Sequence, residues 1–183
     1  MYGMVNRAVR DMVLARFGTE TWTKIHTKAD APAEFVKMKG YDDAVTYRLV
    51  AAASEVLEIS QDDVMRTFGV YWVVETAEKG YGPLLALWGN SFVEFVTNLD
   101  ALHRRVAETF TGLKPPSFEV KTLGPERIEV HYRSERPGLT PFVHGLLEGV
   151  GQRFNTTVAV EVAESRADGA DHDVFHVRYS SAA

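Results

Sequence analysis

The 183-residue sequence contains no cysteine, and this absence excludes three kinds of chemistry. Without a thiol there is no disulfide framework, no thiolate-ligated zinc site and no cysteine redox switch. The sequence also lacks the run of roughly twenty apolar residues that a membrane-spanning helix needs. Its N-terminus lacks the apolar core of a signal peptide. We therefore expect a cytoplasmic protein that has no membrane partner.

An excess of positive charge is absent as well. Twenty Lys and Arg residues stand against 25 Asp and Glu residues, which gives a formal charge of −5 at pH 7. This balance provides no basic surface for nucleic acid. Hydrophobic residues make up 45% of the chain, enough for a sizeable core. Length and composition together predict a single domain over residues 1–183.

The first two thirds of the sequence carry apolar residues at the spacing of α-helices. Glycine and capping residues divide this part into separate helices. We predict helices over residues 5–17, from residue 19 onwards, from residue 42 or 43 to about 56, over residues 61–77, and from Ser91 to about Phe110. Gly80 and Gly82 are expected to break the fourth helix before the short apolar segment 84–88.

After Pro115 and Pro116 the pattern changes from helices to strands. The predicted elements are strands over 117–123 and 127–134 joined by a turn at Gly124-Pro125, a helix over 139–154, and strands over 157–163 and 173–179. The glycines of that helix, Gly145, Gly149 and Gly151, are expected to allow close packing. The fold class is therefore α+β, with a helical N-terminal part followed by a small antiparallel sheet and one packed helix.

One strand ends in an unusual way. Along an extended strand Ile128, Val130, Tyr132, Ser134 and Arg136 share one face, whereas the intervening residues are polar and suit water. The first face begins apolar and ends with two hydroxyls and a guanidinium. Such donors beside a core suit an anion with two carboxylates, which arginine binds bidentately. A strand that simply runs out into solvent would show the same residues.

Among six histidines, His103 alone falls within an apolar helical stripe. The stripe consists of Phe92, Phe95, Val96, Leu99, Leu102 and Val106. A histidine on an apolar face is more often a core residue than a ligand. A second histidine motif, Asp171-His172-Asp173, is better explained by the polarity of a loop than by a metal. The sequence has no His-Glu-x-x-His, phosphate-loop or Gly-x-Ser-x-Gly motif.

Four motifs together resemble the haem-nitric-oxide/oxygen binding (H-NOX) family, which includes the haem domain of soluble guanylate cyclase. They are Met1-Tyr2-Gly3, Asn98-Leu-Asp100-Ala-Leu102-His103, Lys114-Pro115-Pro116 and Tyr132-Arg-Ser134-Glu-Arg136. The resemblance implies a haem b buried between the helical part and the sheet. It implies that His103 ligates the iron and that Tyr132, Ser134 and Arg136 hold the propionates. It further implies that Pro116 presses on the macrocycle. Asp43 matches a family acid that orients the arginine, although a charge at a helix start is an equally good explanation.

The resemblance also implies which residues surround the bound gas. The implied distal lining is Val5, Val9, Trp72, Phe142 and Leu146. Oxygen-binding relatives carry a tyrosine where this chain has Phe142, which has no donor for bound O2. We therefore expect a sensor that binds nitric oxide (NO) and CO at five-coordinate ferrous haem and excludes O2. The indole N–H of Trp72 could replace the missing donor, which leaves an O2-binding sensor as an alternative.

Output is expected to come from a separate signalling protein, because no kinase or cyclase segment occurs in the sequence. The family resemblance implies a histidine kinase, a cyclic-dinucleotide enzyme or a guanylate cyclase as that partner. We expect no catalytic activity from this chain itself. The alternatives are a haem enzyme, such as a peroxidase or an NO dioxygenase, and a haem-free carrier of another amphipathic acid. A haem enzyme needs distal polar groups for proton delivery, which the predicted lining hardly offers.

Overall fold

The structure, a computed structural model, describes residues 1–109 and 114–181. It contains two compact units, Met1–Phe68 and a second that begins at Gly69. Within the described ranges, no helix combines the length and the apolar character that crossing a membrane requires.

The first unit contains helices α1 (Gly3–Lys28) and α2 (Asp43–Leu57) and the start of α3 (Gln61–Tyr71). Gly18 interrupts α1 with φ 80° and ψ 177°, a conformation that favours glycine, so the predicted break at this residue is confirmed. At the start of α2, the side chain of Asp42 accepts a hydrogen bond from the Ala44 N–H at 2.8 Å. This is the N-cap that the sequence predicts.

The core of the first unit lies between α1 and α2. Its fully buried side chains include Val9, Met12, Val13, Ile25, Leu49 and Ala53. One polar pair crosses this core, because the Thr46 hydroxyl donates to the Asn6 side-chain oxygen at 2.6 Å and both residues are buried. This buried hydrogen bond links the two helices at one register.

The second unit begins with an unbroken helical stretch whose geometry changes three times. The end of α3 is followed by a π-helix over Trp72–Ala77, then by α4 (Glu78–Leu85) and a 3-10 turn over Ala86–Trp88. The predicted break at Gly80 and Gly82 is therefore wrong, because both glycines lie inside α4. A glycine in a helix interior costs only about 1 kcal/mol relative to alanine, which does not by itself end a helix.

Helix α5 (Phe92–Thr109) begins where the sequence predicts. The Ser91 hydroxyl accepts the Glu94 N–H at 3.3 Å, and the Glu94 carboxylate accepts the Asn90 N–H at 2.9 Å. Two otherwise unpaired donors at the helix start are satisfied in this way. The predicted end near Phe110 lies outside the described residues.

The sheet contains β1 (Ser117–Gly124), β2 (Arg127–Arg133), β3 (Thr156–Glu164) and β4 (Asp173–Ser181) in the order β1-β2-β4-β3. All three pairings are antiparallel, as predicted. Between β1 and β2 the chain turns through Pro125 and Glu126. Helix α6 (Thr140–Arg153) connects β2 to β3. The fold class predicted from the sequence is thus confirmed.

Helix α6 packs against the sheet and against the π-helix, and glycine makes this approach possible. A Cβ atom on Gly149 would lie 3.0 Å from Val73 Cβ and 3.1 Å from Val70 Cα. On Gly151 it would lie 2.5 Å from the Val158 side chain on β3. The close packing predicted for these glycines is confirmed, since any side chain there would push the elements apart.

Candidate cofactor site

His103 lies on the face of α5 that packs into the core of the second unit. Leu99 and Leu102 beside it are buried, and His103 itself is half-buried. Its Nδ1 atom lies 2.8 Å from the carbonyl oxygen of Leu99, to which the ring N–H at this position donates. In a neutral imidazole the lone pair then resides on Nε2. Among the described residues, none forms a hydrogen bond with Nε2 of His103.

The charge state of His103 follows from its surroundings. Burial lowers the pKa of His103 below its ordinary value, and the Leu99 hydrogen bond and the Asp100 charge offset this shift only in part. A lowered pKa favours the neutral form of the imidazole. The side chain therefore presents a neutral imidazole with a defined tautomer, which is the form that ligates a metal.

Two aromatic rings connect His103 to the strand motif. The His103 and Phe118 rings are stacked, with centroids 5.4 Å apart and planes inclined by 24°. Phe118 also contacts Tyr132, with centroids 5.2 Å apart. The predicted iron ligand and the predicted propionate-binding tyrosine therefore both contact a single phenylalanine.

The strand motif does not remain extended to its end. Tyr132 lies on the core-facing side of β2 with only 4% of its surface exposed, but β2 ends at Arg133. The prediction of a strand that carries Ser134 and Arg136 on the same face is therefore wrong. Beyond the strand, the Ser134 hydroxyl accepts the Arg136 N–H at 3.1 Å, which folds the chain into a bend. Successive side chains point to opposite faces only where the backbone is extended and paired in a sheet.

This bend is tied to the segment that precedes β1. Arg136 Nη1 donates to the carbonyl oxygen of Lys114 at 3.2 Å, and Lys114 Nζ lies 2.8 Å from the Glu135 carboxylate. Pro116 follows two residues after Lys114 and is half-buried. The structure thus brings Pro116 and Arg136 to neighbouring segments at the end of the sheet.

The opposite face of β2 is less exposed than the sequence suggests. The alternation predicts that His131 faces water, but only 9% of its surface is exposed. Its ring contacts His172 at 2.7 Å, Glu129 at 2.8 Å and Lys121 at 2.9 Å. Because His172 is 41 residues away in the sequence, the alternation of β2 alone could not reveal this cluster.

Asp173, another member of the Asp171-His172-Asp173 motif, serves the fold. Asp173 is buried and accepts hydrogen bonds from the Thr140 hydroxyl and the Arg166 N–H, each at 2.8 Å. Among the described residues there is no grouping of three or more His, Cys, Asp or Glu that could hold a metal ion.

Three of the predicted distal residues lie on two elements in direct contact. Trp72 opens the π-helix, and Phe142 and Leu146 lie on α6. A Cβ atom on Gly69, near the end of α3, would overlap the Phe142 carbonyl oxygen and lie 2.6 Å from the Leu146 N atom. This backbone contact holds the start of the π-helix against the part of α6 that carries both residues.

Val5 and Val9 belong to the first unit, where both lie on α1 and Val9 is buried. Their place in a gas-binding pocket stays a prediction. Asp43 lies in the first turn of α2. Its carboxylate accepts a hydrogen bond from the Met1 amino group and forms an ion pair with it.

Two cavities of about 70 and 330 Å³ lie along strands β2, β3 and β4 and share Arg127, Ala159 and Arg178 in their linings. Neither is lined by a side chain predicted to hold haem.

The sequence alone predicted no role for Phe118 or Asp100. Asp100 Oδ1 accepts the Phe118 N–H at 3.1 Å and so joins α5 to β1. The alternation of Phe118 and Val120 on β1 is the signal that could have placed the Phe118 ring on the inner face of the sheet, opposite Tyr132.

Comparison with solved structures shows the fold. An H-NOX protein from S. oneidensis in the Fe(II)NO ligation state matches with a TM-score of 0.88 and 23% sequence identity, over 99% of this chain and 100% of that chain. A mutant of the Fe(II) unliganded H-NOX protein from K. algicida matches with a TM-score of 0.85 and 22% identity, over 99% of this chain and 97% of that chain.

Comparison with curated proteins points to guanylate cyclases. Soluble guanylate cyclase gcy-37 of Caenorhabditis elegans is 30% identical over 187 residues, which cover 97% of this chain and 26% of the relative. Soluble guanylate cyclase 89Db of Drosophila melanogaster is 27% identical over 170 residues, which cover 92% of this chain and 25% of the relative. The chain thus spans about a quarter of the length of these relatives.

A family model described as Haem-NO-binding matches residues 2–162, most of the chain. This match agrees with the fold and with the relatives. The chain therefore belongs to the haem-NO-binding, or H-NOX, family of haem-binding gas sensors, related to the haem domain of soluble guanylate cyclase.

Proposed function

We propose that this chain is an NO sensor in which His103 ligates the iron of ferrous haem b. It binds NO and CO, forms no stable complex with O2 in air, and regulates a separate signalling protein without catalysis of its own. The observation that carries this proposal is the state of His103. Its Nδ1 proton is committed to the Leu99 carbonyl, and its Nε2 lone pair is available to a metal.

The residues around His103 fit a haem. Leu99, Leu102 and Phe118 supply apolar surface for a macrocycle. Tyr132 and Arg136 lie at the end of the sheet, where hydroxyl and guanidinium groups suit two carboxylates. Bound haem would supply an iron atom with one open coordination position for a diatomic gas.

The roles of the strand motif are then defined. The hydroxyls of Tyr132 and Ser134 donate to the propionates, and Arg136 adds charge-assisted hydrogen bonds. The hydrogen bond from Arg136 Nη1 to the Lys114 carbonyl orients the guanidinium, so less entropy is lost when an anion binds. Pro116, held nearby through Lys114, presses on the macrocycle.

Gas selection follows from the distal residues. Bound O2 carries partial negative charge and needs a hydrogen-bond donor in a dry pocket, whereas NO needs little such help. Phe142 has no donor, and Leu146 and Val9 are apolar. The N–H of Trp72 is the one donor among the five proposed lining side chains, so Trp72 is the residue to test if O2 binds.

Signalling runs through the bond to His103. His103 would hold the iron when haem is bound, and NO binding would favour release of its imidazole, which would free α5 to move. CO binding would leave His103 attached. Release of α5 and relief of the pressure from Pro116 form a two-state element whose balance NO shifts.

The partner is proposed by class. Soluble guanylate cyclases match this chain along a quarter of their length, which supports a nucleotide cyclase as one output. A histidine kinase and a cyclic-dinucleotide enzyme are the other two classes. The neighbouring gene is the first place to look for the partner.

An absorption spectrum of ferrous protein purified from haem-supplied cells tests the proposal. We expect a five-coordinate ferrous spectrum that shows no oxygen complex after exposure to air. A protein without haem would support a carrier of another amphipathic acid. A stable oxygen complex would support an O2 sensor, and turnover of peroxide or of NO with O2 would support a haem enzyme.

A further inference from the structure

Phe118 is the residue through which the two ends of the candidate site touch. We propose that Phe118 is a positioning residue that fixes the plane of the His103 imidazole and thereby opposes release of His103 from the iron. This inference rests on the proposed function, because it assigns a role in the bond between His103 and haem iron.

The imidazole needs two restraints to have a single orientation. The hydrogen bond from Nδ1 to the Leu99 carbonyl fixes the tautomer and one atom of the ring, at 2.8 Å. A single hydrogen bond still allows the ring plane to tilt around it. The stack on Phe118, with planes 24° apart and centroids 5.4 Å apart, removes that remaining freedom.

Phe118 is itself held firmly, so it can act as a support. Its side chain is 6% exposed and lies on the inner face of β1, directly opposite Tyr132 in the register. Its N–H donates to Asp100 at 3.1 Å, and its ring contacts Tyr132. A buried ring held in this way moves only when β1 moves.

The arrangement makes the stack a contact between α5 and the sheet. If α5 moves away from the sheet when His103 is released, the stack on Phe118 has to break. The ring of Phe118 then stabilises the attached state relative to the released state. Loss of the ring is expected to weaken the iron–histidine bond and to favour release.

Resonance Raman spectroscopy of the ferrous, unliganded protein tests this inference with Phe118→Leu, which keeps apolar volume and removes the ring. We expect the iron–histidine stretching band to shift to lower frequency and to broaden. The matched control is Phe92→Leu on α5, the helix that carries His103. Phe92 is also buried but contacts Tyr179, at 5.5 Å between centroids, so the band should stay unchanged.

The outcomes distinguish a failure of the proposed function from a failure of the role proposed for Phe118. A protein that takes up no haem contradicts the proposed function before any Raman band is recorded. A haem-loaded Phe118→Leu protein with an unchanged band overturns only the role of Phe118. An equal shift in Phe92→Leu also overturns it, because the effect would then be a general loosening of the core.

A second measurement avoids the risk that Phe118→Leu does not fold. In the unaltered ferrous CO complex, which is diamagnetic, nuclear Overhauser contacts are expected between the ring protons of Phe118 and His103. Their presence supports the stack in the loaded protein. Their absence, with both rings assigned, overturns the inference.

Discussion

The carbonyl oxygen of Leu99 accepts a hydrogen bond from the His103 side chain, four residues further along α5, at 2.8 Å. In a regular α-helix the same oxygen also accepts the backbone N–H of His103. The orientation of the imidazole therefore depends on the helix that carries it. A bond formed at Nε2 on one side of the ring is thereby linked to the position of α5 on the other.

Replacement of His103 by glycine is expected to leave a protein that retains ferrous haem poorly. Free imidazole should restore retention, because it occupies the space vacated by the side chain and supplies the missing nitrogen. Haem content and the ferrous absorption spectrum, recorded with and without imidazole, measure this. An unchanged five-coordinate spectrum without added imidazole would show that another residue is the ligand.

Replacement of Arg136 by alanine should accelerate haem loss while the iron keeps its coordination type. The variant loses the proposed bond to the propionates and the bond to the Lys114 carbonyl. Arg133→Ala is the matched control, since Arg133 lies on the exposed side of β2 and pairs with Glu119 at 3.4 Å. The rate of haem transfer to an excess of a haem-scavenging protein measures the effect. Equal rates of haem transfer for the two variants would show that Arg136 does not hold the propionates.

Replacement of Phe142 by tyrosine adds a donor at the proposed distal position. We expect the variant to form an oxygen complex in air, whereas the unaltered protein forms none. Absorption spectra of the reduced protein after exposure to air record this directly. An oxygen complex in the unaltered protein that disappears in Trp72→Phe would transfer the donor role to Trp72.

Replacement of Gly69 by alanine should destabilise the protein by about 1–3 kcal/mol, the usual cost of overpacking. The new methyl group would overlap the Phe142 carbonyl and crowd the Leu146 N atom, so α6 has to shift. Gly80→Ala is the control, because a Cβ atom there meets nothing within 4 Å. In a helix interior that change should stabilise by about 0.5–1 kcal/mol. Thermal unfolding of the two haem-loaded variants should therefore move in opposite directions, and a common direction would contradict the packing described for Gly69.

Local signals in the sequence were sufficient for most of the fold. Ser91 caps α5, Gly18 kinks α1, and the turn after Gly124 joins two paired antiparallel strands. The apolar stripe of α5 around His103 could also be predicted, because apolar residues at helical spacing indicate which face of a helix is buried. These features depend on residues close to one another in the chain.

Most of the misses have a different cause. The π-helix at Trp72 packs against α6, a segment distant in the sequence, and local helix propensity does not report such packing. The helix continues through Gly80 because one glycine in a helix interior costs too little to end it. His131 contacts His172, and Phe118 stacks on His103, and each contact joins two different elements of the fold. No single segment of the sequence contains the information for these contacts.

In the proposed function NO releases His103 from the iron, whereas CO does not. Absorption spectra of the ferrous protein saturated with each gas show whether this difference exists. We predict a five-coordinate spectrum, wholly or in part, with NO and a purely six-coordinate spectrum with CO. A six-coordinate spectrum with both gases, with no five-coordinate component under NO, would contradict the account.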